Sequence, residues 1–427
     1  MALHPRNTTM TAPPHTPQTA NAPAESAWQV LGIFLRLGLT SFGGPVAHLG
    51  YFRTEFVERR QWLSDRAYAD LVALCQFLPG PASSQVGMAL GYGRAGHAGA
   101  LAAWLGFTLP SALLLMALAW GLLAHAGALP AGLLQGLKVA ALAVVAQAVW
   151  GMGRQLCTDR LRLSIMALAC CAVLGLPGAG VQMGMIVLAA FAGLAGRHWM
   201  APTTMAPHDT LEVPMRRRTG ALWLALFALL LVGLPLLAAS LPGPLMAMVD
   251  VFYRAGALVF GGGHVVLPLL QAEVVPRGWI DNDMFMAGYG AAQAVPGPLF
   301  TFAAFVGTAM GTAAAPGGWL GGWLGGWIGG LVALVAIFVP AWLLVIGALP
   351  FWAQLRTLPQ AQAALAGVNA AMVGLLLAAL YTPVWTGAVH GPQDFGLALL
   401  ALLALMVWRV PPWAVVGGCA LAGTVLA

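Results

Sequence analysis

From Trp28 to the C-terminus, stretches of about 20 mostly apolar residues, the length a helix needs to span lipid hydrocarbon, follow one another with only short polar joints between them. Backbone placed in lipid has no water to bond with, so each such stretch has to satisfy its own amides as a helix. Composition agrees: of 427 residues, 60% are hydrophobic and 7% charged, against roughly 25% charged in a soluble domain. A membrane barrel is excluded, because its strands alternate in polarity over about 10 residues. These runs are instead unbroken Ala, Leu, Val and Gly.

An internal repeat organises the runs. Phe34-Leu-Arg36-Leu-Gly38 through Phe42-Gly43-Gly44 aligns with Phe252-Tyr-Arg254-Ala-Gly256 through Phe260-Gly261-Gly262 at an offset of 218 residues. Gln76 to Pro81, reading QFLPGP, aligns with Gln293 to Pro298, reading QAVPGP, at an offset of 217. A third match pairs Gln135-Gly136-Leu-Lys138 with Ala366-Gly367-Val-Asn369 at an offset of 231, so the second copy carries an insertion that contains the Gly-Trp tract 317–330. Spans are predicted at 28–50, 70–92, 99–124, 131–150, 161–176 and 181–196, then at 220–241 without a repeat partner. Six more follow at 250–271, 284–312, 319–348, 361–381, 395–409 and 411–426. An unmatched span between two sets of six turns the second set over. The expected fold class is therefore all-α: a polytopic membrane protein of two homologous, inverted helical halves with broken helices. Its expected divisions are a disordered tail at 1–24, a first half at 25–197, a cytoplasmic linker at 198–219, and a connecting helix plus second half at 220–427.

The +6 formal charge comes from arginines and a single lysine, mostly in the joints, where they signal topology. No nucleic-acid partner is expected from them. An inside N-terminus places Arg154, Arg160, Arg162, Arg197, Arg216, Arg217, Arg218, Arg277, Arg356 and Arg409 on the cytoplasmic face. Arg53, Arg59, Arg60 and Arg66 disagree, unless the glycine-broken first segments enter and leave by the same face. The five cysteines form no CxxC pair and have no His at metal spacing, so neither disulfide, metal nor cofactor is expected.

Ionisable groups at membrane depth are costly and mark function. Arg36, Lys138 and Arg254 fall inside predicted spans, while nearly all acids fall in joints, which reads as an anion path; the alternative is that Arg36 and Arg254 pair with repeat acids such as Glu55 and Glu273 and hold helices together. Backbone chemistry points the same way. Gly43-Gly44-Pro45 and Gly261-Gly262-Gly263 interrupt apolar spans, as do Pro79-Gly80-Pro81 and Pro296-Gly297-Pro298, where Pro removes a donor and clashes with the turn before it. Helices restarting at Pro81 and Pro298 aim free N–H groups into the breaks. Ser83, Ser84 and Thr301 add hydroxyls in those first turns, and Gln76 and Gln293 precede them. The expected substrate-binding set is thus Arg36, Gly43, Gly44, Gln76, Gly80, Ser83, Ser84, Lys138, Arg254, Gly261, Gly262, Gln293, Gly297 and Thr301. The Gly-Trp tract, with glycines at i, i+4, reads as helix packing or as a homodimer contact.

Taken together, these residues resemble the chromate ion transporter family in its long, two-half form. The carriers are FLRLGLTSFGGP (Phe34 to Pro45), Trp62-Leu63, QFLPGP (Gln76 to Pro81), GYGRAG (Gly91 to Gly96), GFTLPS (Gly106 to Ser111), Phe260 to His264 and Gln293 to Pro298. Gly263 stands where the first half has Pro45, and the Gly-Trp insertion has no first-half counterpart. The resemblance implies a bacterial inner-membrane transporter that exports chromate, or a similar tetrahedral dianion such as sulfate, and so confers chromate resistance. An anion channel is the alternative. An integral-membrane enzyme acting on phosphate or lipid head groups is disfavoured, since no HExxH, Asp-rich or Ser/His/Asp pattern appears.

Overall fold

The computed structural model describes residues 25–125, 130–199, 215–241, 243–313 and 322–426. The expected disordered tail, most of the expected linker and the start of the Gly-Trp tract lie outside them. Among the described residues there are helices and no strands.

Helix α1 (Ala27–Thr40) opens with a capping box between Ser26 and Gln29, and α2 (Gly44–Arg53) runs on into a π-helical turn at Thr54–Arg59. The expected single span at 28–50 is broken between them and folds back. Glu25, just before α1, accepts a hydrogen bond from Trp62 Nε1 at 3.2 Å, and Phe34 stacks on Phe56 with ring centroids 5.1 Å apart. Both ends of this hairpin therefore lie side by side. Next, α3 (Asp65–Phe77) reaches the first PGP break and α4 (Ala82–Ala124) leaves it. The latter is two helices meeting at a sharp bend, Ala95–Gly96. Its short first arm returns to the starting end, where the Arg94 guanidinium lies 4.9 Å over the Trp62 ring. Arms of 14 and 13 residues rise only about 20 Å at 1.5 Å per residue, short of the roughly 30 Å hydrocarbon core. Each pair of arms forms a hairpin too short to span that core.

The long second arm of α4 and α5 (Ala131–Leu156) follow, then the shorter α6 (Arg160–Gly175) and α7 (Ala179–Ala195), and α8 (Arg217–Ser240) joins the halves. The second half repeats the plan. Helices α9 (Pro244–Leu258) and α10 (Val266–Val274) flank the glycine break, while α11 (Asn282–Ala292) and α12 (Phe302–Ala313) flank the second PGP break. Then come α13 (Gly322–Ala348), the short α14 (Trp352–Leu355), α15 (Pro359–Ala379), the single turn α16 (Thr386–Ala388), α17 (Pro392–Met406) and α18 (Pro412–Leu426). Among the described residues, five helices are long and apolar enough to cross a membrane, at Ala82–Ala124, Gly132–Leu156, Arg217–Ser240, Leu324–Leu355 and Pro359–Ala388. The chain is an all-α, multi-pass membrane protein.

Close helix packing rests on small residues, as expected where lipid supplies no hydrophobic drive between helices. Gly38 of α1 lies on the backbone of Gly106 and Phe107 in α4, and Gly256 of α9 lies on Ile337 of α13. These are equivalent contacts, and Pro110 and Pro340 sit within the two long helices 230 residues apart. The described part of the Gly-Trp tract packs inside the chain: Gly325 and Gly329 of α13 meet Gly311 and Gly307 of α12.

A methyl group on Gly38 would lie 2.6 Å from the Gly106 carbonyl oxygen, whereas one on Gly32, a turn and a half earlier, meets nothing within 4 Å. Gly38→Ala should cost about 1–3 kcal/mol through overpacking, read as a lower unfolding temperature in detergent. Gly32→Ala should leave that temperature unchanged, and equal values for the two would contradict the packing described.

Candidate functional site

The helix breaks meet in pairs and bond across the halves. Gly80 N–H in the first PGP break donates to Val259 O in the second-half glycine break at 2.7 Å. Reciprocally, Gly297 N–H in the second PGP break donates to Ser41 O in the first-half glycine break at 3.0 Å. Gly80 has φ 116° and Gly297 φ 103°, a left-handed backbone that a side chain disfavours. Their surroundings are also tight: a Cβ on Gly297 would lie 2.7 Å from Ser111 Oγ, and one on Gly80 3.2 Å from Ala341 Cβ. The glycine breaks touch as well, since a Cβ on Gly263 would lie 3.5 Å from Pro45 Cγ.

Side chains tie these tips down. His48 is 1% exposed. Its Nε2 lies 3.2 Å from Ser41 O and its Nδ1 3.4 Å from Ser83 Oγ. With the proton on Nε2, the ring donates to Ser41 O and accepts from Ser83. Gln85 Nε2 donates to Pro79 O at 2.8 Å, and Thr301 Oγ1 donates to Pro298 O at 2.7 Å. In the second half, His264 Nδ1 and the Tyr289 hydroxyl are 3.0 Å apart. Helices start at Ala82 after Pro81 and, through one 3-10 turn, at Leu299 after Pro298, one residue later than the sequence suggests.

The expected site residues divide. Gly80, Ser83, Ser84, Gly297 and Thr301 gather at the crossings, with Gly43, Gly44, Gly261 and Gly262 in the adjoining breaks. The single hydrogen of the Thr301 hydroxyl is already donated, so the donor expected there is engaged. Gln293 lies in the second PGP break next to Tyr289, whereas Gln76 is exposed.

The expected excess of unpartnered interior cations does not hold. Arg254 holds both Asp250 carboxylate oxygens, at 2.9 and 2.8 Å, and Glu273 at 2.8 Å. Arg277 bonds the other Glu273 oxygen at 2.8 Å. Lys138 reaches Asp283 at 3.0 Å, and exposed Arg36 sits on a cavity of about 320 Å³ beside Glu25, Glu55 and Arg60. The acids assigned to joints come back to the cations because the hairpins return to the face they started from.

Three features went unread in the sequence. Buried Asp70 pairs with Arg356 at 2.8 Å across the halves. Ser41 and Thr108 are buried, and their hydroxyls have no partner among the described residues. Of these, Thr108 sits within the FxLPS run that carries the resemblance, so its motif was visible while its role was not.

Unwound backbone gathered at the centre of so apolar a bundle defines a multi-pass membrane transport protein, since such backbone is tolerated only under protein cover or along a path. The chain belongs to the chromate transporter family, whose sequence model matches residues 28–196 and 246–424. It is 29% identical to the chromate transport protein of Cupriavidus metallidurans over 99% of this chain and 97% of that one. It is 27% identical to the probable chromate transport protein of Synechococcus elongatus over 90% of each. With the chromate transport protein of Pseudomonas aeruginosa it shares 30% identity over 67% of each chain. No solved structure matches the chain.

Arg254→Gln leaves two largely buried acids facing each other, which should cost about 3 kcal/mol and lower the unfolding temperature. Adding Asp250→Asn should recover part of that loss. Were Arg254 instead serving a bound anion, the single variant would unfold like wild type and lose only transport.

Proposed function

We propose that this protein moves chromate, or a similar tetrahedral dianion such as sulfate, out of the bacterial cytoplasm across the inner membrane, and thereby confers resistance. The observation that carries this reading is the meeting of four helix breaks between two homologous halves. Amides at such breaks bind anions by their partial positive charge. The substrate is held by the backbone of the breaks around Gly43, Gly44, Gly80, Gly261, Gly262 and Gly297 and by the Ser84 hydroxyl, while the paired cations hold the scaffold. Chromate is the substrate named by the relatives.

The halves are inverted in this reading, and transport alternates by rocking one against the other. Counting crossings supports it. The first-half hairpins start at the face of the N-terminus; the long arm of α4, α5 and α8 make three passages, and the shorter pair α6 and α7 returns the chain to the face it left, so the total is odd and the second-half hairpins start at the opposite face. Neighbours agree with that count. Gly132 at the start of α5 touches Gly423 near the end of α18, and Gly220 near the start of α8 touches Gly347 near the end of α13. Arg53, Arg59, Arg60, Arg66, Arg94, Arg154, Arg160, Arg162, Arg197, Arg216, Arg217, Arg218, Arg356 and Arg409 then share one face, and Arg277 moves to the other. The positive-inside rule makes the shared face cytoplasmic.

Each charge moved through 100 mV changes the free energy by about 2.3 kcal/mol, so a dianion leaving an inside-negative cell gains roughly 4.6 kcal/mol. The potential alone suffices to drive efflux.

Topology is read by labelling intact cells with a membrane-impermeant maleimide: Pro276→Cys should react from outside, and Arg66→Cys only after permeabilisation. Reaction of both from the same side would remove the inverted arrangement. Function is read as radiolabelled chromate uptake into everted vesicles, where saturable uptake should rise several-fold under an inside-positive potential and fall with excess sulfate. Uptake no greater than that of vesicles without the protein would overturn the reading.

A further inference from the structure

The ion pairs of the two halves repeat one another with a single member exchanged. Arg36 corresponds to Arg254 and Glu55 to Glu273 at the offset of 218, and Arg60 corresponds to Arg277 at 217. The glutamate bonds the second arginine in both halves, Glu55 with Arg60 at 2.8 Å and Glu273 with Arg277 at 2.8 Å. Four residues before the first arginine the halves differ: α9 carries Asp250 where α1 carries Gly32. Residues i and i+4 lie side by side on a helix, so Asp250 closes on Arg254 with both carboxylate oxygens. Gly32 has no side chain with which to close on Arg36.

The exchange shows in space and in charge. Among the described residues the Arg36 guanidinium makes no hydrogen bond and no ion pair, although Glu55 lies within its electrostatic reach. Gly32 and Arg36 line an open cavity of about 320 Å³ together with Glu25, Glu55 and Arg60. The space beside Arg254 and Glu273 is about 20 Å³. The acids of the larger cavity are engaged elsewhere. Glu55 accepts from Arg60 and, at 3.4 Å, from Arg59. One oxygen of Glu25 accepts from Trp62 at 3.2 Å and lies 3.8 Å from Arg60, while the other is buried without a partner among the described residues. Three guanidiniums (Arg36, Arg59 and Arg60) thus stand against two carboxylates, whereas in the second half Arg254 and Arg277 balance Asp250 and Glu273. Packing does not demand the glycine, since a Cβ on Gly32 meets nothing within 4 Å.

We infer that Arg36 forms a second oxyanion site, apart from the helix breaks, in which two oxygens of the ligand bind the guanidinium as the Asp250 carboxylate binds Arg254. The ligand class is a tetrahedral oxyanion, whose paired oxygens match the parallel N–H groups of an arginine. The cavity runs from Glu25, before the first turn of α1, to Arg36, about two and a half turns along. That helix starts at the face assigned above to the cytoplasm, so the site receives the transported anion before it reaches the breaks. In this respect the inference rests on the oxyanion reading above. The second half offers no equivalent, because its own chain occupies the guanidinium.

The test compares full-length wild type with Arg36→Gln, Gly32→Asp and Gly32→Asn, reading chromate uptake into everted vesicles and unfolding temperature in detergent. Gly32→Asp keeps Arg36 and supplies the carboxylate that closes Arg254 in the other half. Arg36→Gln and Gly32→Asp should each raise KM roughly 10-fold. Gly32→Asn, of the same size but uncharged, should raise it less, because hydrogen bonds to an ionised acceptor are the stronger ones. Gly32→Asp should also unfold at or above the wild-type temperature, which separates loss of the site from loss of the fold. Unchanged KM in Gly32→Asp while wild type transports would overturn the Arg36 site and leave the oxyanion reading standing. A lipid head group carries the same chemistry as a free oxyanion, and delipidated protein in detergent distinguishes the two. There, sulfate should raise the unfolding temperature of wild type more than that of Gly32→Asp. A difference produced by added phosphatidylglycerol and not by sulfate would assign Arg36 to lipid and overturn the inference. Wild-type vesicles that take up no chromate would instead remove the oxyanion reading, while the sulfate comparison still decides whether Arg36 binds an anion.

Discussion

A peptide group in lipid must find its hydrogen-bond partner within protein, and this one constraint organises the molecule. Each half contains two places where Gly and Pro prevent a helix from continuing, and each break releases amides and carbonyls. The first half does not satisfy its own. Gly80 turns to Val259 and Gly297 to Ser41, so each half supplies a donor and an acceptor to the other. The polar centre and the contact between halves are therefore the same feature. Any movement that separates the halves also exposes the groups able to receive an anion.

Fixed charge serves another purpose. Arg254 is enclosed by Asp250 and Glu273, and Arg356 reaches across the halves to Asp70. A buried pair contributes little net stability, yet removing one partner costs several kcal/mol, which makes such pairs good at fixing which helix sits where. A guanidinium at the centre would hold a dianion tightly and release it slowly. Amides and hydroxyls, each contributing modestly once desolvation is counted, suit a site that must also empty.

Much of this was legible in the residues. The repeat, the four breaks, the helix restarts after Pro81 and Pro298, and the all-helical membrane class all follow from local rules about Gly, Pro and apolar length. What stayed hidden was direction. A break within an apolar run looks the same whether the chain continues or turns back, so 28–50 read as one span when it is a hairpin. The joint arginines Arg53, Arg59, Arg60 and Arg66 did point to entry and exit by one face, and Glu273 was a candidate partner for Arg254, but sequence alone did not decide either. One signal was available, because Asp250 stands four residues before Arg254, the spacing at which helix side chains meet. The Asp70–Arg356 pair depends on folding across long stretches of chain, which no local pattern encodes. The unpartnered state of Ser41 and Thr108 is likewise a property of packing.

The reciprocal bonds between Gly80 and Val259 and between Gly297 and Ser41 also bear on how a chain of this kind could have arisen. A solitary half would carry an amide at its PGP turn and a carbonyl at its glycine break with no mate for either. Two identical copies meeting face to face would satisfy both at once, through the same pair of bonds. Joining them into one polypeptide fixes that pairing and frees each copy to drift.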